Sequence, residues 1–139
     1  MNSPRSSSRR RFLAVSGWSL AAALARFRSA WALEPGPHPE PRAGITAAGV
    51  LPRDRLDGSS DVQEAFELVR EIPQIVDGIR CQCGCADLPG FYSLLSCYEG
   101  EGMARHCHVC QGEARLAHRL HKAGKSLQDI RRAVDARYG

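Results

Sequence analysis

Six cysteines fall within thirty residues, and none lies elsewhere in the 139-residue chain. They read Cys81-Gln82-Cys83-Gly84-Cys85, then Cys97, then Cys107-His108-Val109-Cys110. A free thiol is nucleophilic and oxidisable, so six in one short segment require a shared chemistry. Three chemistries fit: a soft-metal site, a disulfide framework, or a dithiol exchange site.

Spacing constrains each of these. In extended chain, Cys81 and Cys83 have Cα atoms roughly 7 Å apart, as do Cys83 and Cys85. That separation is at the upper limit for a disulfide, and three alternating thiols cannot all pair with one another. A turn at Gly84, which tolerates positive φ, wraps the three sulfurs around one centre instead. Cys107 and Cys110 have the i, i+3 spacing of a metal knuckle or a redox pair. His106 and His108 flank Cys107, and each is read first as solvent-exposed and second as an imidazole ligand.

The first 32 residues read as an export signal. Six arginines and no acidic residue precede Leu33, and Ser8-Arg9-Arg10-Arg11-Phe12-Leu13 resembles the twin-arginine signal. An apolar run from Leu13 to Leu24 follows, then the A-x-A site Ala30-Trp31-Ala32, which places cleavage before Leu33. Twelve apolar residues are too few for a membrane span, so no stable membrane anchor is expected after cleavage. The chain carries 19 basic and 15 acidic side chains; without the six signal arginines, 13 basic residues face 15 acidic ones, for a net charge of −2. The basic character therefore belongs to the signal and implies no nucleic-acid partner. The expected destination is periplasmic or otherwise extracytoplasmic.

Residues 33–58 read as a Pro-rich linker. Pro35, Pro37, Pro39 and Pro41 alternate with other residues and favour extended chain, while Ile45 to Leu51 is apolar enough to dock on the domain. His38 reads as a bystander. The remaining stretch, 59–139, reads as a small all-α domain of about four short helices. Val62, Ala65, Phe66, Val69 and Ile72 fall at helical spacing, with Ser60 and Gln63 as a capping box. Pro73 to Asp77 forms a second short turn, closed by Gly78. Phe91 to Ser96 gives one or two helical turns. Cys107 to Ala123 forms a helix with Cys110, Ala114, Ala117 and Leu120 on one face, stopped by Gly124. Ser126 and Asp129 open the last helix, whose face is Leu127, Ile130, Ala133, Val134 and Tyr138. A domain of this size buries a marginal core and commonly relies on disulfides or a metal.

The order helix, C-x-C-G-C, single Cys, C-x-x-C helix and terminal helix resembles the bacterial exported proteins named for a PCYCGC motif. The matching residues are Cys81, Cys83, Gly84, Cys85, Cys97, Cys107 and Cys110, with Gly124-Lys125-Ser126, Ile130-Arg131 and Tyr138-Gly139. Arg80 and Gln82 stand where that family has Pro and Tyr. From Cys107 onward the chain is also similar to the thiol-oxidoreductase subunit of cytochrome c maturation, through Cys107-His108-Val109-Cys110-Gln111, Gly124-Lys125-Ser126 and Arg137-Tyr138-Gly139. That second resemblance implies dithiol exchange through Cys107 and Cys110.

Thiolates select Cu(I), Zn²⁺ or iron–sulfur clusters. Six exceed the four that one tetrahedral zinc takes, and they suit a polynuclear Cu(I)–thiolate cluster with bridging sulfurs. The sequence thus points to an exported metal-binding protein with Cys81, Cys83, Cys85, Cys97, Cys107 and Cys110 as ligands. Its expected cargo is Cu(I), with zinc second and an iron–sulfur cluster third. The expected partners are the metal ion and an exported metalloprotein or a metal transporter. The alternatives are a module held by three disulfides and a thiol-exchange protein. No catalytic constellation stands out: there is no phosphate loop, no G-x-S-x-G and no H-E-x-x-H.

Overall fold

The computed structural model describes residues 36–56 and 59–139. The expected signal segment and the first residues of the expected linker lie outside the described residues. Four α-helices carry the fold: α1 Ser60–Glu71, α2 Pro73–Asp77, α3 His108–Lys122 and α4 Leu127–Tyr138. Five 3-10 turns connect and flank them, and no strand occurs among the described residues. The expected all-α architecture is the one observed.

Helical periodicity explains the core. On α1, Val62, Ala65, Phe66 and Val69 are buried, as the i, i+3, i+4, i+7 pattern requires. On α3, Cys110, Ala114 and Ala117 face inward, joined by Gln111, Glu113 and Leu116. On α4, Ile130 and Val134 are buried. Gly112 lies where α3 meets the end of α4; a Cβ there would collide with the Tyr138 hydroxyl. Phe66 and Tyr98 pack edge to face at the centre, with ring centroids 4.7 Å apart.

Two helix starts differ in how they are capped. Ser126 and Asp129 form the reciprocal box expected for α4. At α1 the cap is Ser59 rather than Ser60, and its side chain makes no capping bond, so the box expected from Ser60 and Gln63 is not formed. The expected Phe91–Ser96 helix is a 3-10 turn shifted to Leu94–Tyr98, opened by Ser93 in a capping box with Ser96. Cys97 is therefore fixed inside a capped turn.

The stretch read as a linker is held against the helices along its described part. The described residues belong to one compact unit. Val50, Leu51 and Leu56 are buried. Leu51 N–H donates to Tyr98 O at 2.9 Å, and Arg70 donates to the carbonyls of Val50 and Leu51. Nearer the start, Arg131 donates to Pro39 O at 2.6 Å and to Gly78 O at 2.8 Å. The fully buried Asp77 accepts from Arg42 N–H at 2.8 Å, from the Arg42 guanidinium at 2.6 Å and from the Ser93 hydroxyl at 2.8 Å. Composition favoured extended chain here, and the chain carries no regular helix between residues 36 and 46. Its carbonyls and carboxylate partners nevertheless tie it down. Among the described residues no helix is long and apolar enough to cross a membrane.

Candidate metal centre

The cysteine triplet leaves Ile79, whose carbonyl accepts Leu94 N–H at 2.7 Å, and turns at once. Gly84 adopts φ +92, the left-handed conformation expected of it, and caps the 3-10 turn Cys85–Asp87. The turn folds the three thiols together: Cys81 and Cys83 Sγ are 3.2 Å apart, and Cys83 and Cys85 Sγ are 3.0 Å apart. From α3, Cys110 Sγ reaches Cys81 at 3.4 Å and Cys83 at 3.5 Å. Cys81, Cys83 and Cys110 thus form a triangle of sulfurs able to hold a metal ion. Cys97 is fully buried on the Leu94–Tyr98 turn and lies outside this triangle. The Tyr98 hydroxyl donates to Cys110 O at 2.8 Å and locks that turn onto α3.

Cys107 stands apart. It is the N-cap of α3, and its sulfur accepts Cys110 N–H at 3.4 Å. The backbone there is extended (φ −121, ψ 104), so its neighbours point to the opposite side. His106 and His108 accordingly line an open cleft of about 590 Å³ with Asp61, Glu64, Gln111 and Arg115. Both imidazoles are exposed, as their first reading expected.

All six cysteines are free thiols. The Sγ separations of 3.0–3.5 Å are far from the roughly 2.0 Å of a covalent bond, so the disulfide-framework alternative has no counterpart in the structure. The reason is geometric: the sulfurs gather around shared neighbours instead of pairing off.

Charge in the cluster concentrates on one sulfur. Hydrogen bonds from Cys110 and Cys97 hold the Cys81 thiol far below its ordinary value, against the effect of burial. Burial and its bond with Cys85 push Cys83 up. Cys110 is pushed up by its bonds to Cys81 and Cys97 and by burial. The bond with Cys110 pulls Cys97 down, but its bond to Cys81, burial and the Cys81 charge outweigh this and raise it.

The residues flanking Cys81 are fixed on both sides, and sequence reasoning missed the groups that do this. Arg80 N–H donates to His38 Nδ1 at 2.9 Å, and His38 Nε2 meets the Asp135 carboxylate at 3.0 Å. The assumed bystander in the linker is thus a clamp. Gln82 N–H donates to Glu113 Oε1 at 2.8 Å, and Gln82 Nε2 donates to Asp135 Oδ1 at 2.8 Å. Glu113 is fully buried, and its Oε2 has no hydrogen-bond partner. Burial and the adjacent Cys81 charge push its carboxyl up to about 9. The signal for Glu113 was present as Cys107-x-x-Cys110-x-x-Glu113, a carboxyl on the same helix face as two thiols.

The donor set fits a soft metal. With metal–sulfur bonds of about 2.3 Å, three ligands around one ion lie roughly 4 Å apart, so the triangle opens by about half an ångström on loading. No backbone element has to move far to allow that.

A family model described as a protein of unknown function with a PCYCGC motif matches residues 42–139. The chain belongs to this PCYCGC-motif family. The match spans the helical domain and most of the preceding strap, and it covers all six cysteines. No curated protein and no solved structure matches the chain.

Proposed function

We propose that this PCYCGC-motif protein is an exported metal-binding protein whose six cysteines hold Cu(I) as a thiolate cluster for handling or storage. The observation that carries this reading is the triangle of Cys81, Cys83 and Cys110 sulfurs, with no disulfide among the six cysteines. Thiolates prefer soft ions, and Cys85 adds a fourth sulfur beside the triangle through Cys83 at 3.0 Å. Exposed imidazoles turned away from the triangle leave sulfur as its ligand chemistry. Cys83 is half-buried while Cys81, Cys97 and Cys110 are buried, which gives an ion one side of approach. Metal exchange with an exported metalloprotein or a transporter then occurs at that side.

The thiol-exchange reading draws less support. It needs Cys107 and Cys110 to act as a pair, yet Cys110 directs its sulfur to Cys81 and Cys83 and is fully buried. Export through the twin-arginine route is consistent with metal loading before translocation, since that resemblance implies transport of a folded protein.

The test is elemental analysis of the exported protein, purified without added oxidant or metal, with a thiol count on the same sample. The expected result is bound copper with thiols that react only after the metal is stripped. Three disulfides and no metal would contradict the reading.

A further inference from the structure

One carboxylate, Asp135 on α4, serves both chain neighbours of Cys81. Its Oδ1 accepts the Gln82 side-chain amide at 2.8 Å, and its two oxygens each meet His38 Nε2 at 3.0 Å. The other ring nitrogen, His38 Nδ1, accepts Arg80 N–H at 2.9 Å. That acceptor role leaves the ring proton on Nε2, where it donates to Asp135, so both partners require the same tautomer. The His38 side chain is 11% exposed and that of Asp135 31%, so the contact is largely shielded from water. The Arg80 side chain runs on along the strap: a Cβ on Gly36 would come within 2.8 Å of its guanidinium carbon, and the guanidinium donates to Asp87 at 2.6 Å, beyond Cys85. Strap, triplet and α4 thus meet at residues 80 and 82, one on each side of a sulfur of the metal triangle.

Resting on the Cu(I) reading above, we propose that Asp135, acting through His38 and Gln82, is a positioning residue of the metal site and couples it to the strap, so that metal binding and strap docking strengthen one another. Cys81 is one of the three sulfurs of the triangle, which opens by about half an ångström to take an ion. A sulfur whose chain neighbours swing freely has many positions, and few of them suit the ion. Holding Arg80 N–H and the Gln82 side chain removes that freedom before the ion arrives, which is how groups behind the ligands raise affinity. The strap supplies His38, and His38 reaches Arg80 only while the strap lies on the helices. Linkage makes the effect reciprocal: the factor by which the docked strap tightens metal binding is the factor by which bound metal favours docking. The strap has further anchors of its own, Arg131 to Pro39 O at 2.6 Å and the Tyr92 hydroxyl to Glu40 O at 2.7 Å. Loss of the His38 contact therefore removes the coupling and leaves the strap attached.

The test is hydrogen–deuterium exchange of the reduced full chain under argon, with and without Cu(I) supplied as its acetonitrile complex, beside affinity measured by competition with a chromophoric chelator. In the wild type, Cu(I) should slow exchange in peptides covering residues 36–46 as well as in those covering the triplet. Asp135→Ala and His38→Ala should each weaken Cu(I) affinity, Asp135→Ala by about 10–100-fold. The double variant should lose no more than Asp135→Ala alone, since the two residues act through one contact. In both single variants Cu(I) should still protect the triplet and no longer protect the strap. Asp135→Asn keeps an acceptor oxygen for Gln82 and His38 and should restore most of the affinity. Far-UV circular dichroism establishes that each variant is folded; if Asp135→Ala fails to fold, His38→Ala and the wild-type exchange decide. Strap exchange unchanged on loading, wild-type affinity in the folded alanine variants, or Asp135→Asn as weak as Asp135→Ala would overturn the coupling and leave Cu(I) binding intact. No Cu(I) uptake by the wild type would overturn the reading on which the coupling rests, and the coupling with it.

Discussion

The backbone N–H of Gln82 donates to the Glu113 carboxyl at 2.8 Å, tying the cysteine triplet to the helix that carries Cys110. One carboxyl oxygen is satisfied and the other is buried without a partner, which ordinarily costs on the order of 1–3 kcal/mol. Such a group beside a metal site orients its ligands. Replacing Glu113 with Ala should weaken Cu(I) affinity by about 10–100-fold, as measured by competition with a chromophoric chelator. Glu113→Gln keeps an oxygen acceptor for Gln82 and should stay close to wild type. Equal losses in both variants would assign the effect to charge instead of to the hydrogen bond.

Glu113 also makes a pH prediction for the metal-free protein. Its carboxyl moves from an ordinary 4.5 to about 9 on folding, so the folded chain holds a proton that the unfolded chain releases. Stability from this group is full below pH 4.5 and falls as pH rises toward 9. Glu113→Gln removes that loss, so the stability difference between variant and wild type should widen in the variant's favour across this window. Urea melts at several pH values measure it, and a constant difference would refute the assignment.

Asp77 works in the opposite sense. Burial pushes its carboxyl up, but hydrogen bonds from the Arg42 side chain and backbone and from Ser93 outweigh this and bring it below its ordinary 3.8. Its contribution is therefore complete above that value and is lost as pH falls through the lower folded value. Asp77→Ala should cost about 3 kcal/mol, the low end for breaking a buried pair, because Arg42 still reaches water. Residues 36–46 should become protease-sensitive at the same time. A variant as stable and as resistant as wild type would show that the strap is held elsewhere.

At Gly84 the cost of substitution is purely conformational. The residue has φ +92, and a side-chain Cβ there would meet nothing within 4 Å. Gly84→Ala should destabilise by about 1–2 kcal/mol, and Gly84→Asn by less, since Asn tolerates the left-handed region. Thermal melting reads both. Equal losses for Ala and Asn would point to some other cause.

The helices were legible because burial alone sets their pattern. Val62, Ala65, Phe66 and Val69 announce α1, and Ser126 with Asp129 announces the start of α4. The turn at Gly84 was legible because three alternating cysteines require one. The clamps were not legible. His38 lies 42 residues from Arg80 and 97 from Asp135, and no local periodicity links them. The Phe91–Ser96 helix was misplaced because the Ser93–Ser96 capping box, not the apolar spacing, sets where that turn begins. Glu113 was readable only by following the C-x-x-C spacing one step further along α3.

Export makes its own prediction. Replacing Arg9 and Arg10 with Lys should leave the precursor in the cytoplasm, and sequencing of the exported protein should begin at Leu33. Normal export of the double variant would contradict the twin-arginine reading.

Copper K-edge X-ray absorption of the Cu(I)-loaded chain, after desalting, tests the central claim most directly. A first shell of sulfur alone, at about 2.3 Å and about three per copper, is the predicted result. A shell containing nitrogen or oxygen, or copper lost on desalting, would contradict it.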